Sequence, residues 1–277
     1  MTANGFSVSY RVINLAIMST VTSHLQTFFL DHGEQSMSEV IVKPIAYEHE
    51  GRSFEGRLVY VEGSKPTRGL LMAPNFKGIS PLAIEVASEQ VKQDSVILVL
   101  DPYGVEFHSA SVEALRDEMQ RLAQDNAGLR SRLQAAYEVL KTEATAMGVN
   151  ADNLAVFGFC FGGACILEMA RAGVPMKAFV SLHGLLQTPN PEQSKTPAGP
   201  VLVLNGADDP LVPEAERLAF EAEMTRIGAD WQLVNFGKTL HAFTDPYANM
   251  PGRTQYNPVV ARRAFAMMHD LFDEVLA

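Results

Sequence analysis

The sequence predicts an α/β protein, with a mostly parallel, doubly wound sheet of about eight strands and helices on both faces. From residue 40 onward, short runs rich in β-branched residues alternate with longer segments of helical periodicity, the order that builds such a sheet. The later short runs are almost continuously apolar, as expected for parallel strands that are covered on both faces. The first two runs alternate apolar and polar residues, which predicts an antiparallel pair at one edge.

Eight segments have this strand-like composition, and helical segments separate the later ones. The predicted strands are VIVKPIAY, GRLVYVE, RGLLMAP, SVILVLD, LAVFGF, AFVSLHG, PVLVLNG and WQLVNF. The predicted helices cover about 80–92, 109–147 with a break near Gly128, 161–172, 213–227 and 256–276. We expect one domain, because the only proline-rich stretch, QTPNPEQSKTPAGP, leads directly into a strand.

The composition is that of a globular protein with a sizeable core. The chain has 277 residues, of which 47% are hydrophobic and 19% charged. Its net charge of −10 is the opposite of what a polyanion needs, so we expect no nucleic-acid partner. A monomer and a homodimer both remain open at this stage.

Residues 1–36 differ from the rest of the chain. We interpret them as an N-terminal extension outside the fold, expected to be poorly ordered, and residues 37–277 as the single domain. Polar residues interrupt the apolar stretch of the extension, so it is too polar to span a membrane. No small-residue cleavage motif follows, and secretion is therefore the less favoured alternative to a cytoplasmic location. Two cysteines five residues apart form neither a disulfide framework nor a zinc-site spacing.

The segment GFCFGG joins a predicted strand to a predicted helix and carries Cys160 at its tip. A nucleophile between a strand and a helix needs a very sharp turn, which leaves no room for side chains two residues before and after it. Gly158 and Gly162 occupy those two positions. Cys160 is therefore predicted to be a nucleophile, the alternative being a small buried apolar residue. Cys165, one turn into the helix, is predicted to be core.

An oxyanion hole should accompany such a nucleophile. The helix N-terminus carries partial positive charge, which favours a thiolate and later an oxyanion. We expect the backbone N–H of Phe161 as one donor and that of Phe76, in the loop APNFKG, as the other.

A nucleophilic thiol also needs a base and a group that orients the base. His241 follows the last predicted strand, and Asp208 and Asp209 follow the strand PVLVLNG. We favour Asp209, directly before Pro210, as the orienting acid; either aspartate could instead cap the next helix. His183, at another strand end, is a candidate substrate-binding residue that lines the site at most, and a packing role is the favoured interpretation.

With these residues in place, the chain resembles the dienelactone hydrolase family of α/β-hydrolases over roughly residues 40–277. The resemblance is carried by GFCFGG, NGADDPLVP, HAF and YNPVVARRAFAMMHDLF. It implies an α/β-hydrolase fold, a small ester or lactone as substrate, Cys160 as nucleophile, His241 as base and Asp209 as orienter. It implies no metal or organic cofactor. We also expect Asn75 and Tyr103, near two strand ends, to be substrate-binding residues.

The chain departs from the family pattern at the substrate. Asn75 stands where members that open dienelactone have a glutamate near the thiol. Val105 or a neighbour, and Asp245, stand where those members have arginines that hold the substrate carboxylate. An acid at such a position would repel an anionic substrate. We therefore expect a neutral or differently shaped ester, and a thioester, a peptide or a non-catalytic binding role remain the alternatives.

Overall fold

The computed structural model describes residues 26–29 and 39–276, which contain eleven strands, six α-helices and two short 3-10 helices. The strands are β1 Gln26–Phe29, β2 Glu39–His49, β3 Arg52–Val61, β4 Arg68–Ala73, β5 Ser95–Val99, β6 Leu154–Phe159, β7 Phe179–Leu182, β8 Val201–Gly206, β9 Trp231–Phe236, β10 Asn249–Met250 and β11 Thr254–Gln255. The helices are α1 Pro81–Gln90, α2 Val112–Gln124, α3 Asn126–Ala146, α4 Phe161–Ala172, α5 Glu214–Arg226 and α6 Pro258–Val275.

Nine of the strands form one sheet in the order β1-β2-β3-β5-β4-β6-β7-β8-β9. The six strands from β5 to β9 in this order are parallel, and β1, β2 and β3 add an antiparallel edge. All eight predicted strands are present, including the antiparallel pair. The additional strand, β1, lies within the segment interpreted as an extension, and its Phe28 pairs with Val40 of β2. Residues 1–25 and 30–36 of that segment lie outside the described residues.

The apolar runs bury both faces of the sheet, as their composition predicts. Every residue of β4, β5, β6, β7 and β8 is buried. Within β4, Leu71 packs into the core under α3, α4 and α5, while Leu70 and Met72 pack into the core under α1 and α6. Helices on both faces of a parallel sheet follow from this two-sided burial.

The break in the long helical segment falls at Asp125, three residues before the predicted position. Asp125 ends α2, and its side chain accepts a hydrogen bond of 3.0 Å from the N–H of Gly128. Gly128 therefore lies in the first turn of α3, and Asp125 caps that helix. An aspartate is a strong N-cap residue, and here it fixes the boundary instead of the glycine.

The sheet register brings the carboxyl ends of the central strands together. Ala73, at the end of β4, is paired with Gly158 of β6, and Gly158 with Ser181 of β7. The loops that follow β4, β6, β7, β8 and β9 therefore leave the sheet along one edge. Ligands bind at this edge in open α/β sheets.

Candidate active site

Cys160 lies between β6 and α4 in a conformation that non-glycine residues rarely adopt, with φ 54° and ψ −115°. A side chain on Gly158 would collide with the backbone of Gly162, and one on Gly162 would collide with the carbonyls of Ala73 and Pro74. Only glycine fits at either position, which confirms the sharp turn that the sequence predicts. Backbone strain of this kind persists where the surrounding structure enforces it, commonly at functional sites.

The loops after β8 and β9 bring Asp209 and His241 together. His241 Nδ1 lies 2.7 Å from Asp209 Oδ2, and both side chains are almost completely buried, at 3% and 0% exposed. The other carboxylate oxygen of Asp209 accepts a hydrogen bond of 2.8 Å from the N–H of Leu211. Asp208 is exposed. Of the two candidate acids, the structure therefore pairs Asp209 with the histidine.

His241 Nε2 is buried and has no hydrogen-bond partner among the described residues, so this nitrogen is available to the neighbouring thiol. Burial lowers the pKa of the imidazole. The hydrogen bond to Asp209 and the interaction with Cys160 outweigh burial and raise the pKa of His241 to about 9. A histidine tuned in this way, beside a half-buried cysteine, is a typical feature of sites that move protons.

Phe76 and Phe161, whose N–H groups are the predicted oxyanion donors, line the same cavity as Cys160. Phe161 is the first residue of α4, where backbone N–H groups have no partner within the helix. Phe76 lies in the turn after β4, whose own hydrogen bonds engage the N–H groups of Lys77 and Gly78. Asn75 also lines the cavity, and its side-chain oxygen accepts the 3.0 Å bond from Lys77 N–H that shapes this turn.

Tyr103 does not line the cavity, contrary to the role in substrate binding that we expect from the sequence. It is 2% exposed, and its hydroxyl donates a hydrogen bond of 2.9 Å to the carbonyl oxygen of Phe76. Its ring stacks on that of Phe161, with centroids 6.0 Å apart and planes 9° apart. Its neighbours are thus the backbone of one predicted oxyanion residue and the ring of the other.

His183 is buried beside His241 and lines the cavity. Its Nε2 lies 2.8 Å from Thr244 Oγ1, whereas its Nδ1 has no hydrogen-bond partner in the part of the chain that the structure describes. The centroids of its ring and the His241 ring are 5.2 Å apart. Burial and the positive charge on His241 hold the pKa of His183 well below its ordinary value, so this imidazole is neutral.

The cavity has a volume of about 840 Å³, and apolar side chains supply most of its wall. Asp245 lines it, as expected, whereas Val105 is 42% exposed and does not lie on the wall. Sequence reasoning missed two arginines there: Arg116 of α2, with Cζ 5.5 Å from the centroid of the Phe76 ring, and Arg253 of the β10–β11 hairpin. Neither follows a strand of the main sheet, so strand ends gave no signal for them.

Cys165 behaves as the core residue that the sequence predicts. It is 1% exposed in the core under α3, α4 and α5, and burial raises the pKa of its thiol. Among residues 26–29 and 39–276, no group of three or more histidine, cysteine or acidic side chains could hold a metal ion. Within the same ranges, no helix has the length and apolar character needed to cross a membrane.

The doubly wound sheet, the sharp turn at Cys160 and the buried acid–histidine pair define an α/β-hydrolase. Residues 54–276 match the dienelactone hydrolase family, and the chain belongs to that family. Family membership makes it a carboxylic ester hydrolase, acting on esters or lactones.

Individual relatives are consistent with this membership. A curated protein of a Bradyrhizobium species, "Probable 2-oxo-3-(5-oxofuran-2-ylidene)propanoate lactonase", is 25% identical over 229 residues, 78% of this chain and 88% of its own. The solved structure titled "m3DLH" is 33% identical with a TM-score of 0.77, covering 86% of this chain and 99% of that one. A dienelactone hydrolase-like promiscuous phosphotriesterase from metagenomic libraries is 31% identical with a TM-score of 0.78 and the same coverage.

Proposed function

We propose that this protein hydrolyses small esters or lactones through a thioester intermediate on Cys160, with His241 as base and Asp209 as its orienter. The observation that carries the proposal is the 2.7 Å bond between His241 and Asp209, buried beside a cysteine held at a strained turn. Asp209 fixes the imidazole tautomer and leaves Nε2 facing the reaction. A buried core cysteine would need neither the two glycines of the turn nor an oriented histidine.

The reaction begins when the Cys160 proton passes to His241 Nε2. The raised pKa of His241, about 9, favours the imidazolium that this transfer produces. The thiolate forms a C–S bond with the substrate carbonyl carbon, and the carbonyl electron pair moves onto oxygen. The N–H groups of Phe76 and Phe161 donate to this oxyanion. Each donor contributes about 3 kcal/mol to the lowering of the barrier, by analogy with other acyl transfers.

The leaving group departs when the oxyanion collapses and the C–O bond of the ester breaks. The imidazolium gives its proton to the departing alkoxide, which leaves His241 neutral. Neutral His241 then takes a proton from water as the water oxygen attacks the thioester carbonyl. Collapse of this second intermediate breaks the C–S bond and releases the acid, and the imidazolium then returns its proton to Cys160. This cycle needs no group beyond the residues named.

The cavity wall carries charges of both signs, which bears on the substrate. Asp245 opposes an anionic substrate near His241, as the sequence suggests, but Lys77, Arg116 and Arg253 also lie on the wall. We retain a neutral ester or lactone as the first candidate, because most of the wall is apolar. A matched pair of esters, one neutral and one bearing a remote carboxylate, separates the two cases by kcat/KM.

A neutral phosphotriester is a second candidate substrate. A relative with 31% identity is described as a promiscuous phosphotriesterase, and the two chains superpose with a TM-score of 0.78. The same thiolate and N–H donors could serve attack at phosphorus, because that reaction also places negative charge on an oxygen. Paraoxon in the substrate panel tests this candidate.

The deciding experiment is a panel of aryl esters, lactones, thioesters and peptides, assayed with the wild type, Cys160→Ala and Cys165→Ala. We expect ester turnover in the wild type and Cys165→Ala and none in Cys160→Ala, with both variants folded. Preference for thioesters or peptides would favour the alternative acyl hydrolases. Absence of turnover together with slow alkylation of Cys160 by iodoacetamide would favour a binding protein. A nucleophilic thiol also fits the cytoplasmic location that we propose, because a reducing compartment keeps it free.

A further inference from the structure

Tyr103 contacts both residues that carry the proposed oxyanion donors, although it lies outside the cavity. We propose that Tyr103 is a positioning residue that holds the N–H groups of Phe76 and Phe161 at the spacing required by one oxyanion. The inference rests on the proposed function, since it assigns Tyr103 a part in the same acyl transfer. Its own atoms do not touch the substrate.

The hydroxyl acts on the turn after β4. It donates a 2.9 Å hydrogen bond to the carbonyl of Phe76, while Asn75 accepts bonds from the next two N–H groups, Lys77 to its side chain and Gly78 to its carbonyl. Phe76 is thus held from both sides by bonds that leave its own N–H unengaged by any residue within 26–29 and 39–276. Fixing the residue on its carbonyl side limits how far its N–H direction can rotate.

The ring acts on the sharp turn at Cys160. It stacks almost parallel on the Phe161 ring, with 9° between the planes. It also packs against the turn after β4: an ideal Cβ on Gly78 would lie 3.1 Å from Tyr103 Cδ2. One side chain therefore lies between the two backbone segments from which the donors project. A displacement of either segment would have to move the same ring.

The surroundings of Tyr103 make it a rigid support. Asp101 Oδ1 accepts bonds of 3.0 Å from the N–H groups of Tyr103 and Gly104. The guanidinium groups of Arg52 and Arg132 donate to the Tyr103 carbonyl at 3.0 and 3.4 Å. Burial raises the pKa of the Tyr103 hydroxyl, which remains a neutral donor over the working pH range.

The competing explanation is that Tyr103 only fills the core. In that case removal of its hydroxyl lowers stability and leaves the chemistry of the folded enzyme unchanged. A positioning role instead affects the transition state, where the oxyanion exists, more than the ground state. It therefore lowers kcat and leaves KM almost unchanged, since the donors do less for the bound substrate.

The test compares Tyr103→Phe with the wild type and with Tyr137→Phe. Tyr137 is a matched control, because it is also buried, at 3% exposed, in the same core but on α3. For a neutral ester we expect kcat of Tyr103→Phe to fall about 10- to 100-fold with KM within about twofold. Affinity for a trifluoromethyl ketone, which forms a C–S bond with Cys160 and places the charge on its oxygen, should fall by a similar factor. Tyr137→Phe should change neither quantity.

Three results would overturn the inference: kcat within about threefold of the wild type, a loss confined to KM, or unchanged affinity for the trifluoromethyl ketone. If Tyr103→Phe does not fold, Phe161→Leu provides the test, because it keeps the backbone N–H and removes the stacked ring. It should lower kcat and ketone affinity together, and no change in either would contradict the proposal. Ester turnover that persists in Cys160→Ala would defeat the proposed function itself, an outcome distinct from failure at Tyr103 alone.

Discussion

His241 and Asp209 share a 2.7 Å hydrogen bond between two almost completely buried side chains, while Asp208, the preceding residue, is exposed. The contrast arises from the turn after β8, where the N–H of Asp209 bonds to the carbonyl of Gly206. Two adjacent carboxylates therefore face different environments. Only the buried one can orient the imidazole.

Asp209→Asn should lower kcat/KM for esters by at least about 100-fold, because the amide can stabilise the wrong imidazole tautomer and carries no charge. Asp208→Asn is the matched control and should remain within about twofold of the wild type, as expected for an exposed side chain. Steady-state kinetics on one ester measure both. Equal losses in the two variants would contradict the assignment of the orienting acid.

The pH dependence should reflect the imidazolium. With the pKa of His241 raised to about 9, the proton needed by the leaving group is lost above that pH, so cleavage of an alkyl ester should decline there. An aryl ester, whose leaving group needs little protonation, should decline less. Asp209→Asn should move the alkaline limb to lower pH by roughly 1 unit or more, because the carboxylate raises this pKa. An alkaline limb that is identical for both esters and unmoved in the variant would oppose the mechanism.

The sharp turn at Cys160 should tolerate no side chain at Gly158 or Gly162. Gly162→Ala puts a methyl group against the Ala73 and Pro74 carbonyls and should cost at least about 2 kcal/mol of unfolding free energy, with loss of ester turnover. Gly237→Ala is the control, since a Cβ there meets no described residue within 4 Å, and should change stability by about 0.5 kcal/mol or less. Urea unfolding compares them. A stable, active Gly162→Ala enzyme would show that the turn can relax.

Acid should destabilise the fold partly through His183. Its pKa in the folded state lies well below 6.5, so below that pH the unfolded chain binds a proton that the folded chain does not. Stability is therefore full above about pH 6.5 and falls as the pH drops, by at most about 1.4 kcal/mol per pH unit for one group. His183→Asn, which does not titrate and tolerates the left-handed φ of 41°, should flatten this slope in urea unfolding at pH 5–7. Parallel slopes would contradict a neutral His183.

Most of the fold could be predicted from the sequence, because the patterns that indicate strands and turns lie in short segments. Runs such as LAVFGF are buried on both faces of a strand. Glycines flank Cys160 because any other residue at those positions would collide with the backbone. Strand β1 gave no such signal, since four residues in a mixed polar segment have no distinct periodicity. The α2–α3 boundary was misplaced because a glycine signalled the break while the capping aspartate determined it.

The candidate site could be predicted only in part from the sequence. Strand ends pointed to the nucleophile, acid and histidine, because parallel strands place their carboxyl ends at one edge. The strand ends did not show that Asp209 is buried and Asp208 exposed, because this difference depends on the whole turn. The preference for Asp209 rested on its place before Pro210. Arg116 and Arg253 reach the cavity from a helix and a hairpin, through packing between segments distant in sequence. The inward position of Tyr103 likewise depends on tertiary contacts with Phe76 and Phe161.

The most direct measurement traps the acyl-enzyme. Wild type and Cys160→Ala are mixed with an aryl ester, quenched in acid within the first turnover, digested and mapped by mass spectrometry. The mechanism predicts the acyl group on the peptide that contains Cys160 in the wild type and no adduct in the variant; the digestion must separate Cys160 from Cys165 in the fragment spectrum. Acylation of another residue, or ester turnover by Cys160→Ala at the wild-type rate, would contradict the central claim.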